Sequence, residues 1–134
     1  MTIVYADTSA LLKRVLIGPQ SDALRTVLRE RHDAGDVLAS SSLAWLEVYR
    51  SLRRLQTMDL ELLASSALSG IVEIPLTEAA LTQARRVGPE TLRSLDAIHL
   101  TAAVAVGATS MLTYDDRLGG AANLLGFEVL APRT

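Results

Sequence analysis

The sequence contains no cysteine, which excludes disulfide bonds and thiolate metal sites and is typical of a protein that works in a reducing compartment. It also lacks a cationic start followed by a long apolar run, so it has no signal-peptide pattern. Its most apolar stretch, Ala102 to Leu112, is too short to span a bilayer. These absences predict a cytoplasmic protein that does not interact with membranes.

An excess of positive charge is absent as well. The formal net charge is −2 at pH 7, which argues against a strong non-specific binder of nucleic acid. Of the 13 basic residues only Lys13 is a lysine. Several of the arginines cluster, at Arg14 beside Lys13, at Arg50 with Arg53 and Arg54, and at Arg85 and Arg86 with Arg93. Solvated helix faces account for any one of them, yet guanidinium groups also match phosphate oxygens, so any binding of nucleic acid must depend on such local groups.

The 134 residues suit one compact domain, and short apolar runs alternate in them with longer amphipathic patterns. The apolar runs predict strands at residues 3–6, 37–39, 71–74, 109–113 and 127–130. The longer patterns predict helices at residues 10–17, 21–34, 43–56, 59–68 and 95–106, one after Thr77, and a short one near Leu118. Thr8 or Ser9 is the predicted cap of the first helix, Thr77 of its own helix and Ser94 of helix 95–106. This alternation predicts a single α/β domain with a parallel sheet covered on both faces.

Acidic residues follow two of the predicted strands. Asp7 comes directly after the first strand, and Asp115 and Asp116 come shortly after the fourth. Ligands of open parallel sheets bind beyond the carboxyl ends of the strands, so these positions are candidates for a site. Each also has a structural explanation, because a carboxylate near a helix N-terminus is favoured by the helix dipole and aspartate is common in turns.

Two further acidic residues lie on predicted helices. Glu47 lies off the apolar face of its helix, where a surface ion pair with Arg50 is the alternative explanation. Asp96 stands in the first turn of a helix that is apolar nearly all round, which predicts burial and therefore a need for a partner. His99, one turn further on, is expected to orient Asp96 or to be a buried core histidine rather than a metal ligand.

Such carboxylates suit a hard cation, Mg²⁺ or Mn²⁺, because a chain without cysteine and with two distant histidines cannot build a zinc site. Mg²⁺ binds through a few carboxylates and the phosphate oxygens of its substrate, an arrangement that serves phosphodiester hydrolysis. An aspartyl-phosphate phosphatase would need a second aspartate where Ser9 stands, and a receiver domain would need a C-terminal lysine, which this chain does not have.

Four segments in order resemble the motifs of PIN domains. They are YADTSAL at residues 5–11, WLEV at 45–48, LDAIHL at 95–100 and LTYDDRL at 112–118. No single segment is diagnostic, but their order, their spacing and the chain length together resemble the VapC toxins of toxin–antitoxin pairs.

The resemblance implies a single PIN domain over residues 1–134, folded as a three-layer α/β/α sandwich with a central parallel sheet of about five strands. It implies that the catalytic and metal-binding carboxylates are Asp7, Glu47, Asp96 and Asp115. Asp7 and Asp96 would contact the metal, while Glu47 and Asp115 would complete the site, partly through water. It also implies supporting roles for Thr113, Ser9 and Asp116, although Asp116 could equally be a helix cap.

The activity that this resemblance implies is that of an endoribonuclease dependent on Mg²⁺ or Mn²⁺. The expected partners are an RNA substrate, a second copy of the chain in a homodimer, and a VapB-type antitoxin whose C-terminal segment covers the site. Two alternatives stay open at this stage: a non-catalytic PIN-like module that binds RNA or protein, and a nuclease that cleaves DNA.

Overall fold

The computed structural model describes residues 1–133 and contains five strands and seven helices within them. In chain order these are β1 Ile3–Ala6, α1 Thr8–Leu12, α2 Ser21–Asp33, β2 Val37–Ser41, α3 Ser42–Arg54, α4 Leu60–Leu68, β3 Val72–Ile74, α5 Glu78–Ala84, α6 Ser94–Ala105, β4 Ser110–Leu112, α7 Asp116–Leu124 and β5 Glu128–Leu130. Each predicted strand corresponds to one of the five. No helix in this part of the chain is long and apolar enough to cross a membrane.

The strands form one sheet in the order β3-β2-β1-β4-β5, and all four neighbouring pairs are parallel. From β1 the chain proceeds outward to β2 and β3, then returns to place β4 on the other side of β1. The strand order therefore reverses between β1 and β4, and in open α/β sheets such a reversal opens a crevice at the carboxyl ends of those strands.

Helices cover both faces of the sheet. Successive side chains of β1 point to opposite faces, and each face contributes to its own apolar core. Val4 and Ala6 belong to one apolar core together with residues of α1, α2, α3 and α4. Tyr5 belongs to a second core with Met111 and with residues of α6 and α7. The predicted three-layer arrangement around a parallel sheet of five strands is thus confirmed.

The first helix is shorter than predicted, ending at Leu12 instead of continuing to residue 17. The backbone carbonyls that follow it are bound by side chains of α2, because Ser21 Oγ donates to Lys13 O at 2.9 Å and Arg25 donates to Arg14 O at 3.0 Å. These bonds replace the helical bonds that a continued α1 would make, and the chain turns away.

Two of the three predicted helix caps are wrong. The cap of α1 is Asp7, whose side chain accepts the Ala10 N–H, and not Thr8 or Ser9. Ser94 lies inside α6, and the residue at the N-cap position, Arg93, makes no side-chain capping bond. The third cap is confirmed, since the Thr77 side chain accepts the Ala80 N–H.

Candidate active site

Asp7 is a buried carboxylate at the carboxyl end of β1, with 4% of its surface exposed. Its Oδ1 accepts hydrogen bonds from Ser9 Oγ at 2.7 Å and from the Ala10 N–H at 3.0 Å. Its Oδ2 accepts a bond from Thr113 Oγ1 at 2.6 Å. Burial raises the pKa of Asp7, and these three hydrogen bonds oppose that rise because they stabilise the ionised form. The carboxylate is therefore fixed in one orientation.

Ser9 connects the end of β1 to the end of β4. Besides donating to Asp7, its Oγ accepts the Tyr114 N–H at 3.0 Å. Thr113 makes the corresponding pair of bonds from the other side, since its Oγ1 donates to Asp7 and accepts the Asp115 N–H at 3.0 Å. Two hydroxyl side chains thus tie the two carboxylate-bearing turns together.

Asp115 caps α7. Its Oδ1 accepts the backbone N–H groups of Arg117 at 2.9 Å and Leu118 at 3.1 Å, while its Oδ2 has no hydrogen-bond partner among residues 1–133. Asp116, in the first turn of α7, is exposed, so of the two neighbouring aspartates it is Asp115 that serves as the cap.

Glu47 is held by groups from two other elements. His99 Nε2 and Thr8 Oγ1 each lie 2.7 Å from its Oε1, and a quarter of its side chain is exposed. Half-burial by itself raises the pKa of Glu47, but the hydrogen bonds from His99 and Thr8 outweigh it and lower the pKa. Glu47 makes no ion pair with Arg50 among residues 1–133, so the surface pair considered from the sequence does not form.

His99 orients Glu47 through a chain of hydrogen bonds that fixes its tautomer. The Ser41 N–H donates to Tyr5 Oη at 3.1 Å, which leaves the Tyr5 hydroxyl free to donate to His99 Nδ1 at 2.6 Å. Nδ1 is then the acceptor, so Nε2 carries the proton and donates it to Glu47. Of the two roles expected for His99, orienting Asp96 is wrong because its ring nitrogens are bonded to Tyr5 and Glu47, and burial in the core is confirmed.

Asp96 contrasts with the other carboxylates because it has no hydrogen-bond or ion-pair partner among residues 1–133. It is only partly buried, since the first turn of α6 is more open than its apolar sequence predicts and Leu95 is half exposed. Partial burial raises the pKa of Asp96, as do the negative charges of Asp115, Asp7 and Glu47, although His99 opposes them. The four carboxylates therefore share one electrostatic environment.

A pocket of about 550 Å³ collects these groups at the carboxyl edge of the sheet. One lining residue comes from the middle of α3, and the others come from the N-terminal ends of α6 and α7: Glu47, Arg93, Ser94, Leu95, Asp96, Asp115, Asp116 and Arg117. Asp7 does not line the pocket because its carboxylate is buried among its hydrogen-bond partners.

The donor chemistry of this pocket fits a hard divalent cation. Carboxylate oxygens are the preferred ligands of such cations, and Asp96 has both of its oxygens unengaged within the described chain. Within residues 1–133, however, no group of three or more histidine, aspartate or glutamate side chains is close enough to form a ready-made metal cage. Mutual repulsion opposes a closer approach of the carboxylates, and a bound cation would relieve that repulsion.

Two site residues were not predicted from the sequence: Thr8, which bonds Glu47, and Tyr5, which bonds His99. The sequence contains no signal for Tyr5, since a tyrosine in a buried strand is ordinary core. Arg117 was missed as a pocket residue too. Its only signal is its position directly after Asp115 and Asp116.

Comparison with known proteins adds independent information. The family model that describes the PIN domain matches residues 4–124. Among curated proteins, Ribonuclease VapC47 from Mycobacterium tuberculosis is 38% identical over 132 residues, which cover 97% of each chain. Ribonuclease VapC46 from the same species is 38% identical over 134 residues, which cover 98% of this chain and 99% of the relative.

Solved structures share the fold at lower sequence identity. Mycobacterium tuberculosis VapC20, described as a Sarcin-Ricin loop cleaving toxin, superposes with a TM-score of 0.73 at 16% identity, covering 96% of this chain and 99% of that one. VapBC2 from Rickettsia felis, bound to a DNA fragment from its promoter, gives a TM-score of 0.71 at 15% identity, with 96% and 97% covered. Since the family model spans most of the chain and the curated relatives align over nearly all of it, the chain belongs to the PIN domain family and is of the VapC type.

Proposed function

We propose that this protein is the toxin of a VapBC toxin–antitoxin pair and that it hydrolyses RNA phosphodiester bonds with the help of Mg²⁺ or Mn²⁺. The observation that carries the proposal is one pocket lined by Glu47, Asp96 and Asp115, in which the charge of the buried Asp7 also acts on Asp96. The proposal is supported by the 38% identity to Ribonuclease VapC47 over nearly the whole chain.

The residues that would hold the cation are Asp96, Glu47 and Asp115, with Asp7 completing the negative charge of the site. A bound divalent cation offsets the negative charge that develops on a phosphodiester during hydrolysis and lowers the pKa of water. Glu47 is ready for this role because His99 and Thr8 keep it ionised and bind only its Oε1. Asp96 stands in a field of like charges, which a cation relieves.

Asp7 would act chiefly by adding a fixed negative charge to the site and by positioning its neighbours. Its carboxylate is buried and accepts three hydrogen bonds, so it cannot turn away when the pocket fills. Ser9 and Thr113 also accept backbone N–H groups of the turn that carries Asp115, so they hold that turn in place next to Asp7. Asp7 and Asp115 are thus already held in position before substrate binds.

The proposed partners are a VapB-type antitoxin and a second copy of the chain, and the proposed location is the cytoplasm. Support for the antitoxin comes from two neighbours with the same fold, the Rickettsia felis VapBC2 structure and a toxin–antitoxin complex from Klebsiella pneumoniae with a TM-score of 0.65 at 19% identity, covering 96% of this chain and 97% of that one. Apolar side chains that an interface could cover are exposed on and between α3 and α4: Leu46, Leu55, Met58 and Leu62.

The decisive experiment compares purified wild type with Asp96→Asn on total RNA, in lanes with Mg²⁺, Mn²⁺ and EDTA. Wild type should give discrete fragments with either metal and none with EDTA, and Asp96→Asn should lose at least about a hundredfold in rate because it loses a carboxylate of the charge-stabilising cluster. Glu30→Gln, which removes an exposed carboxylate on α2, is the control and should cleave like wild type. Full activity of Asp96→Asn, or cleavage in EDTA, would contradict the proposal.

The same assay separates the two alternatives. A single-stranded DNA lane identifies a DNA-cleaving nuclease by preferential cleavage of DNA. A non-catalytic module leaves both nucleic acids intact while the folded wild type binds one of them.

A further inference from the structure

The acidic pocket poses an electrostatic problem for the proposed substrate. RNA is a polyanion, the chain has a net charge of −2, and the pocket is lined by four carboxylates. Phosphate groups that approach such a surface are repelled unless positive charge compensates, and outside the proposed cation site that charge must come from nearby side chains. Two arginines line the pocket together with the carboxylates: Arg93, directly before α6, and Arg117, in the first turn of α7.

Neither arginine has a visible structural task. Both are exposed, and within residues 1–133 neither guanidinium forms an ion pair or a hydrogen bond, although Asp96 stands three positions after Arg93. Other arginines stabilise this fold through ion pairs or hydrogen bonds. Arg31 forms ion pairs with Asp36 and Glu128, and Arg14 donates to two backbone carbonyls.

Their position on the helices is unfavourable for local stability. Arg93 and Arg117 stand at the N-terminal ends of α6 and α7, where the helix dipole disfavours positive charge. Arg53 and Arg54, in contrast, lie in the last turn of α3, where the dipole favours them. The dipole therefore explains the arginines of α3 but not the two that line the pocket.

We propose that Arg93 and Arg117 bind phosphate groups of a single RNA strand where it enters the acidic pocket. The inference rests on the proposed RNA substrate and adds the groups that hold it. A guanidinium fork binds phosphate oxygens in a bidentate manner, and neither group has a hydrogen bond or ion pair within residues 1–133 that would have to break first. A pocket of about 550 Å³ admits part of a single strand. The base edges of a single strand are accessible, whereas the deep, narrow major groove of an A-form duplex hides them.

The test measures RNA binding separately from cleavage. Arg93→Gln, Arg117→Gln and the double variant are made in the Asp96→Asn background and titrated, by fluorescence anisotropy, against two single-stranded RNA oligonucleotides of unrelated sequence at several salt concentrations. Arg29→Gln, an exposed arginine on α2, is the control because it changes the net charge by the same amount. Circular dichroism melting verifies that every variant is folded.

Each pocket substitution should weaken binding about fivefold, as expected for one partly exposed charge contact. It should also reduce the slope of log K against log salt by about 0.7, the value for one phosphate contact on a single strand. Both effects should be equal for the two oligonucleotides, because phosphate contacts carry no sequence information. Folded Arg93 and Arg117 variants that bind like Arg29→Gln would overturn the inference.

Failure of the proposed function gives a different result. If wild type cleaves RNA but the two arginine variants bind RNA as tightly as the Arg29→Gln control, the nuclease stands and the inference falls. If wild type cleaves nothing but the arginine variants lose RNA affinity, the phosphate-binding role stands and the nuclease falls.

Discussion

Two aspartates of the site show how differently one residue type can be used. Burial raises the pKa of both Asp7 and Asp96. Three hydrogen bonds to the Asp7 carboxylate compensate for its burial. Asp96 has no hydrogen-bond or ion-pair partner in the described chain and is close to other carboxylates. Asp96 therefore weakens the metal-free fold, a common feature of functional sites, where stability is lost in exchange for activity.

This difference predicts a pH-dependent gain in stability for Asp96→Asn in metal-free buffer. The folded-state pKa of Asp96 lies above its ordinary value of 3.8, so the folded protein holds this proton more tightly than the unfolded chain does. The stability of wild type should then fall as pH rises from that ordinary value through the raised pKa, and the variant should lack this loss. Urea denaturation at a series of pH values measures the difference. An advantage of the variant that shrinks with rising pH would contradict the expectation.

Tyr5 is predicted to support Glu47 through His99. Tyr5→Phe leaves the Ser41 N–H and His99 Nδ1 without their buried partner, so the free energy of unfolding should fall by about 1–3 kcal/mol. RNA cleavage should also fall, because the imidazole that holds Glu47 is no longer fixed. Tyr49→Phe removes an exposed tyrosine–glutamate bond and should change stability by less than about 0.5 kcal/mol. Equal effects of the two substitutions would refute a role for the buried chain of hydrogen bonds.

At the scale of elements, α1 and α7 both begin at the site, and Ser9 in α1 accepts the Tyr114 N–H just before α7. Ser9→Ala removes the bond to Asp7 and leaves the Tyr114 N–H without its acceptor. We expect a loss of about 1–2 kcal/mol in stability together with reduced cleavage, since Asp7 loses one of its three bonds. Ser65→Ala, on the exposed face of α4, should be neutral or slightly stabilising because alanine is the better helix former. Unchanged stability and activity of Ser9→Ala would exclude Ser9 as the connection between the two helices.

At the scale of the whole molecule, the strand order brings distant acidic residues to one edge. β1 and β4 are neighbours in the sheet although about a hundred residues separate them in sequence, and α3 and α6 begin at the same edge. The resulting concentration of negative charge is unfavourable until a cation binds. The metal-free and metal-bound proteins should therefore differ in stability.

Addition of Mn²⁺ should raise the melting temperature of wild type by a few degrees, since a ligand that binds only the folded state stabilises it in proportion to the logarithm of its concentration. Asp96→Asn should show little or none of this increase, and Glu30→Gln should show all of it. Differential scanning calorimetry measures the shift. An equal increase in wild type and Asp96→Asn would place the binding of Mn²⁺ outside the pocket.

The fold class and the positions of the strands could be predicted because they depend on local pattern. Apolar runs define the strands, and the alternation with helices implies a parallel sheet. Helix ends were harder, as α1 shows, because side chains of α2 take the carbonyl groups that decide where α1 stops. Ser94 failed as a cap for a related reason. Several residues near a helix start can cap it, and the path of the backbone selects among them.

The sequence by itself determined the kinds of groups available and their order along the chain: acidic residues after two strands and on two helices, no cysteine, and motifs that resemble those of PIN domains. Only the tertiary structure decided which groups meet. The contact of His99 with Glu47 spans 52 positions, and that of Thr113 with Asp7 spans 106. No local propensity encodes such pairs, because they follow from the order of strands in the sheet and from the packing of α3 against α6. For the same reason only the structure placed Arg93 and Arg117 beside the carboxylates, with no side-chain partner for either among residues 1–133.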